Sequence, residues 1–349
     1  MILQTCSGRN LGPAVVVDKY LANFVLSHDM VRIEIKDRKL RFYTLAFLNS
    51  TIGRQLLRRD KTGSVIDHIT ESHLAKIEVV FLGEKALSEV SEMVGRAVLL
   101  REKSRIQLDK LVREYEAKLF PSERTRPTRE GWSVRSEDFA GRLDAAYYDP
   151  LVWSVRQKLK KLGGLSVADV ADVLKPGGRY KTNYVNNENG RPLVSGAQLL
   201  QTKTINLQFM SANVFKQVEN YALRAGWIAY PADGRAEEGL GTPVLVTRDR
   251  DGWLASGHIG RVIPKTGVDA GWLFLALKTN HAQMQLKARA SGSVVDSTFP
   301  NDMEAVILPP PLDVDGAKVR QLWNDFSEAQ VLEEKASAMV DEALATYSA

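Results

Sequence analysis

The stretch TGSVID at residues 62–67 returns as SGSVVD at residues 291–296, an offset of 229 positions. Holding that offset without a gap aligns residues 12–82 with residues 241–311, and apolar positions and clustered identities match along both segments. An internal match of this length indicates a duplicated structural unit. The sequence therefore predicts two related domains rather than one.

The first copy of this unit starts part-way through. A three-residue insertion in the second copy extends the alignment back until Met1 lies opposite Trp227. Residues 151–226, which precede the second copy, then have no counterpart before Met1. Two interpretations stay open: the chain is naturally shorter at this end, or its start has been lost.

Each copy is followed by a segment with the three-four apolar spacing of a helix seam. Residues 96–135 contain 11 basic and 6 acidic side chains, whereas residues 313–349 contain 3 and 8. Equal length, opposite charge and duplicated position favour a mutual antiparallel pair. The alternative is two amphipathic helices on separate cores. The seam positions are Leu87, Val90, Val94, Ala97, Leu108, Leu111 and Tyr115, then Val319, Leu322, Phe326, Ala329, Ala336, Val340, Ala343 and Tyr347.

Within each copy, the remaining pattern indicates short strands joined by turns, with helices at Leu45–Arg59 and Leu273–Arg289. The predicted fold class is α+β: domains of mixed short strands and helices, joined and spaced by two long antiparallel coiled-coil helices. The predicted strands are Ala14–Val17, Met30–Ile35, Lys76–Leu82, Pro243–Thr247, Ile259–Ile263 and Ala305–Leu308.

Composition excludes several classes of protein. The single cysteine, Cys6, allows neither a disulfide framework nor a cysteine-based zinc site. No apolar run reaches the roughly 18–20 residues that a membrane span needs, and no signal segment begins the chain. We therefore expect a cytoplasmic protein with no membrane partner. The pI of about 9.1 permits a nucleic-acid partner.

Catalytic motifs are missing. There is no phosphate-binding Gly-x-x-x-x-Gly-Lys loop and no Gly-x-Ser-x-Gly elbow, and the five histidines are scattered. Asp18, Glu34 and Lys36 loosely fit a metal-dependent nuclease pattern. The equivalent positions of the second copy lack the carboxylates, so we expect no enzyme activity, cofactor or metal. A nuclease that uses Asp18, Glu34 and Lys36 nevertheless stays open as one hypothesis.

One polar, glycine-rich stretch of the second copy suits contact with DNA. Its arginine and lysine side chains can bind phosphates, and arginine, asparagine and glutamine can bind base edges. An ordinary polar surface loop is the alternative. The candidate DNA-binding residues in and after this stretch are Arg179, Lys181, Asn187, Arg191, Gln198 and Lys203.

Four stretches together resemble the DNA-specificity subunit of type I restriction–modification enzymes, with a truncated first target-recognition domain. They are FLNSTIGRQLLRRDKTGSVIDHITESHLAKIEVVFL at 47–82, RLDAAYYDP at 142–150, GRPLVSGAQLL at 190–200 and AGWIAYPADGR at 225–235. The order of the stretches carries the resemblance.

The resemblance implies a non-catalytic subunit that directs a partner adenine methyltransferase to a specific, bipartite sequence in double-stranded DNA. S-adenosylmethionine would bind the methyltransferase subunits, and a restriction or motor subunit would complete a phage-defence complex. A second chain could complete the first domain. The implied organisation is a half recognition domain at 1–82, a helix at 83–121, a linker at 122–150, a recognition domain at 151–311 and a helix at 312–349.

Four further residues are weaker candidates for DNA contact. Arg235 and Arg261 align with Arg9 and Arg32 of the first copy. Repetition of an arginine at these positions could equally indicate a structural role. Ser64 and Ser293 follow glycines that would end a helix and expose N–H groups to a phosphate; a plain helix cap is the alternative. A different function also stays open: a degenerate specificity subunit that acts as an assembly scaffold without reading sequence.

Overall fold

The computed structural model describes residues 1–6, 11, 13–26, 28–59, 68–119, 131–175, 183–201, 204–211, 218–292 and 294–347. Among these residues, no helix combines the length and apolar character that crossing a bilayer needs. The chain divides into two compact units, residues 1–107 with 324–349, and residues 108–323.

Short strands alternate with helices, which confirms the predicted α+β class. The strands are β1 (Ile2–Thr5), β2 (Ala14–Val16), β3 (Met30–Ile33), β4 (Leu165–Ser166), β5 (Ala171–Leu174), β6 (Tyr184–Val185), β7 (Arg191–Val194), β8 (Gln208–Met210), β9 (Ile228–Pro231), β10 (Asp233–Gly234), β11 (Val244–Leu245), β12 (Leu254–Ala255), β13 (Ile259–Pro264), β14 (Asp296–Ser297) and β15 (Ile307–Leu308). The α-helices are α1 (Arg38–Asn49), α2 (Thr51–Arg59), α3 (Glu71–Ala75), α4 (Glu84–Leu119), α5 (Pro150–Lys161), α6 (Val167–Val170), α7 (Gly196–Leu199), α8 (Ala270–Lys278), α9 (Asn280–Lys287), α10 (Pro300–Glu304) and α11 (Gly316–Tyr347).

The first unit packs an antiparallel sheet, in the order β2-β1-β3, against α1 and the long helices. Asp37 starts α1 because its carboxylate accepts the N–H of Leu40 at 2.7 Å. The helix then buries a continuous run from Phe42 to Leu48. This run and the inward residues of β1 and β2 form the core of the unit.

The second unit has the same three strands and a fourth. Its main sheet runs β11-β9-β13-β5, with all neighbours antiparallel. Helix α8 is buried almost throughout and ends at Thr279, which starts α9. A separate small sheet, in the order β12-β7-β8-β6, and the pair β15-β4 complete the unit.

The duplication predicted from the sequence is present in the strand register. Ile2 lies opposite Val16 in the first unit, and Ile228 lies opposite Leu245 in the second. Equivalent residues of β1 and β9 are therefore 226 positions apart in sequence, and equivalent residues of β2 and β11 are 229 positions apart. This places the three-residue insertion between them, as predicted.

The joint between helices is duplicated as well. Ser50 ends α1 and Thr279 ends α8, and the two residues are 229 positions apart. Each hydroxyl donates to the carbonyl three residues earlier, at 2.7 Å in both units. Each also accepts the N–H three residues later, at 3.1 and 3.2 Å. The same side-chain chemistry therefore bends the chain between helices in both copies.

The long helices pack antiparallel within the first unit, as predicted. Ser104 of α4 contacts Asp325 of α11 at 3.5 Å. Apolar residues that precede Ser104 on α4 share a core with apolar residues that follow Asp325 on α11. The two helices therefore run in opposite directions. The apolar residues of this contact are Leu87, Val90 and Val94 of α4 and Ala336, Val340 and Leu344 of α11.

One predicted strand is wrong. Residues 76–82 form no strand, although the equivalent segment of the second copy contains β15. β15 is a strand because it pairs with β4, which belongs to the stretch that has no counterpart in the first copy. An apolar alternation without a neighbouring strand cannot satisfy its backbone groups as a ladder.

Candidate nucleic-acid interface

The small sheet of the second unit carries the polar stretch singled out from the sequence. β7 and β6 both pair antiparallel with β8, and β12 pairs parallel with β7. Leu193, Met210 and Leu254 form part of a buried cluster beneath the sheet. This apolar support fixes the strands from which the polar segments depart.

The described residues next to two neighbouring segments of the sequence are joined by a hydrogen bond. The N–H of Ser211 donates to the carbonyl of Asn183 at 3.1 Å. Residues 176–182 end at Asn183 and residues 212–217 begin after Ser211, and both segments lie outside the described residues. Arg179 and Lys181 belong to the first. The second contains Lys216 between Phe215 and Gln217, a basic-aromatic combination that the sequence argument missed.

Asn187 lies exposed in the turn between β6 and β7. The turn is held on either side of it: the side-chain amide of Asn189 donates to the side-chain oxygen of Asn186 at 2.6 Å, and the N–H of Asn189 donates to the carbonyl of Asn186 at 3.2 Å. This hydrogen-bonded turn leaves Asn187 exposed to solvent beside the small sheet.

Arg191, at the start of β7, is bound within the protein. Its Nε donates to the carbonyl of Gly252 at 2.9 Å, and its guanidinium pairs with Glu219. Glu219 also pairs with Arg224 at 2.8 Å. The guanidinium of Arg191 therefore connects the start of β7 to Gly252 and Glu219.

Gln198 is also used internally. Its side-chain oxygen accepts the N–H of Ser195 at 3.0 Å, while Ser195 Oγ accepts the N–H of Gln198 at 3.3 Å, a reciprocal cap on α7. Its amide nitrogen donates to the carbonyls of Ile205 and Asn206, both at 2.9 Å. Gln198 thus fixes the chain just after Lys203, which lies outside the described residues.

The two weaker arginine candidates differ in exposure. Arg235 is exposed and lies 3.7 Å from Glu238. Arg261 is 2% exposed, donates to the carbonyl of Ala222 at 3.2 Å, and has its pKa lowered by burial. Its guanidinium does not reach the surface. Its partner Arg32 is exposed on β3, and Arg9 lies outside the described residues.

Ser64 and Ser293 lie outside the described residues as well, but the residues around Ser293 correct the interpretation of the second copy. Helix α9 ends at Lys287, so Gly292 does not cap it. Instead, Ser291 and Ser297 exchange two backbone hydrogen bonds, at 3.0 and 2.8 Å, around the turn. The helix-cap interpretation is wrong for the second copy, and a phosphate contact there stays a prediction.

Lys175, just before the glycine-rich segment, is anchored by a charge cluster. Its Nζ lies 2.8 Å from Asp233, whose other oxygen lies 2.7 Å from Nδ1 of the exposed His258. Burial raises the pKa of Asp233, but hydrogen bonds from Lys175, Ser297 and His258 outweigh it and hold this pKa below its usual value. The cluster fixes the other end of residues 176–182.

The RLDAAYYDP stretch docks on the end of α9. Arg142 donates to the carbonyl of Arg289 at 2.9 Å and binds Asp144 with two hydrogen bonds, at 2.7 and 2.9 Å. The ring of Tyr147 lies 4.7 Å from the Arg142 guanidinium and 5.2 Å from that of Arg289. This part of the predicted linker is therefore held on the second unit.

Asp18, one of the three residues of the nuclease pattern, caps a short turn. Asp18 uses its carboxylate to accept the N–H of Leu21 at 2.7 Å, at the start of a short 3-10 turn. In the part of the chain that the structure describes, no three His, Cys, Asp or Glu side chains gather as metal ligands.

No protein-family profile and no curated protein sequence matches the chain. Solved structures of type I restriction–modification S subunits match it over nearly its whole length. The S subunit from M. genitalium is 14% identical, with a TM-score of 0.33, over 99% of this chain and 79% of that one. The HsdS subunit from Thermoanaerobacter tengcongensis is 14% identical, with a TM-score of 0.36, over 98% and 80%. A chain from a structure describing complex assembly and conformational transition of the type I R-M system is 16% identical, with a TM-score of 0.33, over 98% and 81%.

Proposed function

We propose that the chain is a non-catalytic DNA-binding specificity subunit that directs a partner adenine methyltransferase to a specific, bipartite sequence. The observation that carries the proposal is the duplication. One sheet-and-helix core occurs twice in the same register, while the polar segments around the cores differ. Two copies of one scaffold with different surface segments suit the reading of two different half-sites.

In the second unit, the proposed readers are the residues that leave the small sheet. Arg179, Lys181 and Lys203 would bind phosphates or base edges, and the exposed Asn187 would bind a base edge. Arg191 and Gln198 would act through these residues, because their own side chains hold the sheet and loops in place. Arg235, Ser64 and Ser293 would contribute phosphate contacts.

The proposed partners are those that the resemblance to type I specificity subunits implies. A methyltransferase would supply S-adenosylmethionine chemistry, and a restriction or motor subunit would supply cleavage. The long helices, with their opposite charges, would serve as the docking element for the methyltransferase. We propose a cytoplasmic complex on double-stranded DNA.

The test is methylation mapping in cells that express the methyltransferase encoded nearby, with and without this chain. The proposal expects a bipartite methylated motif that depends on the chain. Replacing residues 151–311 by those of a related protein should change one half of that motif and leave the other half unchanged. Methylation that does not depend on the chain would contradict the proposal.

A scaffold without sequence readout is the second candidate. It is favoured by the internal use of Arg191, Gln198 and Arg261, whose side chains are bound to neighbouring residues. A scaffold would co-purify with the methyltransferase and yet leave the methylated motif unchanged when Asn187 is replaced. A specificity subunit would co-purify and alter the motif.

A further inference from the structure

Among the residues that the structure describes, the outer edge of β3 has no paired strand, whereas the same edge of its repeat is covered. In the second unit, β5 pairs with β13 along Arg261–Pro264. The equivalent residues of the first unit are Arg32–Ile35, and among the described residues no strand pairs with them. Open edges of this kind bind added strands.

The backbone groups of this edge point away from the sheet. The N–H of Cys6 donates to the carbonyl of Asp29 at 2.9 Å, so Asp29 faces β1. Hydrogen-bonding direction alternates along a strand, and Arg32 and Glu34 therefore face outward. In the second unit, the outward Lys265 donates its N–H to Val170 at 2.9 Å, as the repeat predicts. The outward positions of this edge are therefore Arg32, Glu34 and Lys36, the equivalents of Arg261, Ile263 and Lys265.

Side-chain burial differs between the copies in the same place. Ile259–Val262 are buried, but the equivalent Met30–Ile33 are exposed or half-buried. Nearby, Val80 and Phe81 are 45% and 52% exposed, whereas their equivalents Pro309 and Pro310 are buried. Among the described residues, the strand equivalent to the one that β5 pairs with in the second unit is thus more exposed in the first.

The segment that contains this edge and helix α2 is more basic than its repeat, although one of its lysines, Lys39, pairs with Glu84. Residues 30–59 contain eight basic and two acidic side chains, whereas the equivalent residues 259–288 contain four and one. Helix α5, which packs against α9 in the second unit, is itself basic, with Arg156, Lys158, Lys160 and Lys161 and no acidic residue. A segment with the charges of α5 would be repelled by the more basic first unit, and an acidic one would be attracted.

We propose that this edge binds an acidic helix–strand segment of another polypeptide, which adds a strand antiparallel to β3 and places its helix against α2. The proposal goes beyond DNA specificity and does not depend on it. It rests on the uncovered edge, on the covered edge of the repeat and on the excess of basic side chains.

The test uses the full chain and two synthetic peptides. One has the sequence of residues 150–175. The other has the same sequence with Arg156→Glu, Lys158→Glu, Lys160→Glu and Lys161→Glu. By fluorescence anisotropy, the acidic peptide should bind at least tenfold more tightly than the unchanged one. Bound acidic peptide should also slow amide exchange at residues 30–36 and leave exchange at residues 261–264 unchanged.

Paired variants of the full chain locate the contact. Glu34→Pro removes an outward N–H donor and should weaken binding of the acidic peptide at least tenfold, while Glu34→Ala keeps the donor and should not. Should Glu34→Pro unfold the unit, Arg32→Glu replaces it, with the same expected loss. Equal affinity for both peptides, or affinity that none of these variants changes, would overturn the proposal. A dimer of the chain that Glu34→Pro disrupts would also overturn it. The same holds if duplex DNA, and not the peptide, slows amide exchange at residues 30–36.

Discussion

Arg101 and Glu333 form an ion pair between the long helices, with Nη1 and Oε1 2.7 Å apart and side chains only 11% and 7% exposed. The pair lies near Ser104 and Asp325, so a polar layer interrupts the apolar contact of α4 with α11. Buried pairs of this kind add little net stability but penalise any pairing that separates them. We infer that this layer fixes the antiparallel register.

Breaking the Arg101–Glu333 pair should be costly. Arg101→Leu removes the guanidinium that binds the buried carboxylate of Glu333 and should lower the free energy of unfolding by about 3 kcal/mol, measured by urea denaturation. The control is Arg96→Leu at the more exposed Arg96–Glu328 pair, which should cost less than about 1 kcal/mol. If the double variant Arg101→Leu/Glu333→Leu is no more stable than Arg101→Leu alone, the charge argument is wrong.

The hydroxyl of Tyr115 makes a second set of buried polar contacts, whose loss should lower the free energy of unfolding. Its hydroxyl donates to the carbonyls of Pro309 and Pro310 and accepts the indole N–H of Trp272 at 3.1 Å. Burial raises the pKa of this hydroxyl. Tyr115→Phe leaves the indole N–H buried without its acceptor and should cost about 1–3 kcal/mol in urea unfolding. Tyr148→Phe, on a more exposed tyrosine, is the control and should cost less.

The duplicated core was predictable because its signals are local or periodic. The offset of 229 positions set the correspondence of strands, and the apolar spacing set the two long helices. The failure at residues 76–82 has a simple cause, since strand formation there depends on a partner strand that only the second copy provides. Sequence patterns report a segment's own preference and not the presence of its neighbour.

The candidate interface was less predictable, for a different reason. Residue type singled out a polar stretch, but it predicted none of the strands β6, β7 and β8 that lie there and could not separate exposed side chains from bound ones. Asn187 is presented to solvent, whereas Arg191 and Gln198 are bound to backbone carbonyls up to 61 positions away in sequence. Only the folded arrangement shows which polar groups are already satisfied.

The Asp233 cluster predicts a dependence of stability on pH. Because the pKa of Asp233 in the folded protein lies below its ordinary value of 3.8, the ionised carboxylate stabilises the fold above that pH, and the benefit is lost as pH falls through the lower, folded value. Asp233→Asn should therefore cost about 1.5–3 kcal/mol at pH 7 and progressively less below pH 3.8. Urea midpoints measured from pH 7 down to the acid limit check this. Glu237→Gln, at an exposed position, serves as the control, and a constant difference at all pH values would contradict the assignment.

Asn187 and Arg191 should separate base reading from positioning. If Asn187 reads a base edge, Asn187→Ala should cost about 1–3 kcal/mol of binding to the cognate DNA and relax the preference at one position of the motif. Arg191→Ala should instead weaken binding to all sequences and lower stability, because it releases the end of β7 from Gly252 and Glu219. Competition binding against single-base variants of the mapped site distinguishes these patterns, with Asn301→Ala on α10 as the control. Relaxation at one position by Arg191→Ala, with stability unchanged, would make Arg191 a reader and remove its positioning role.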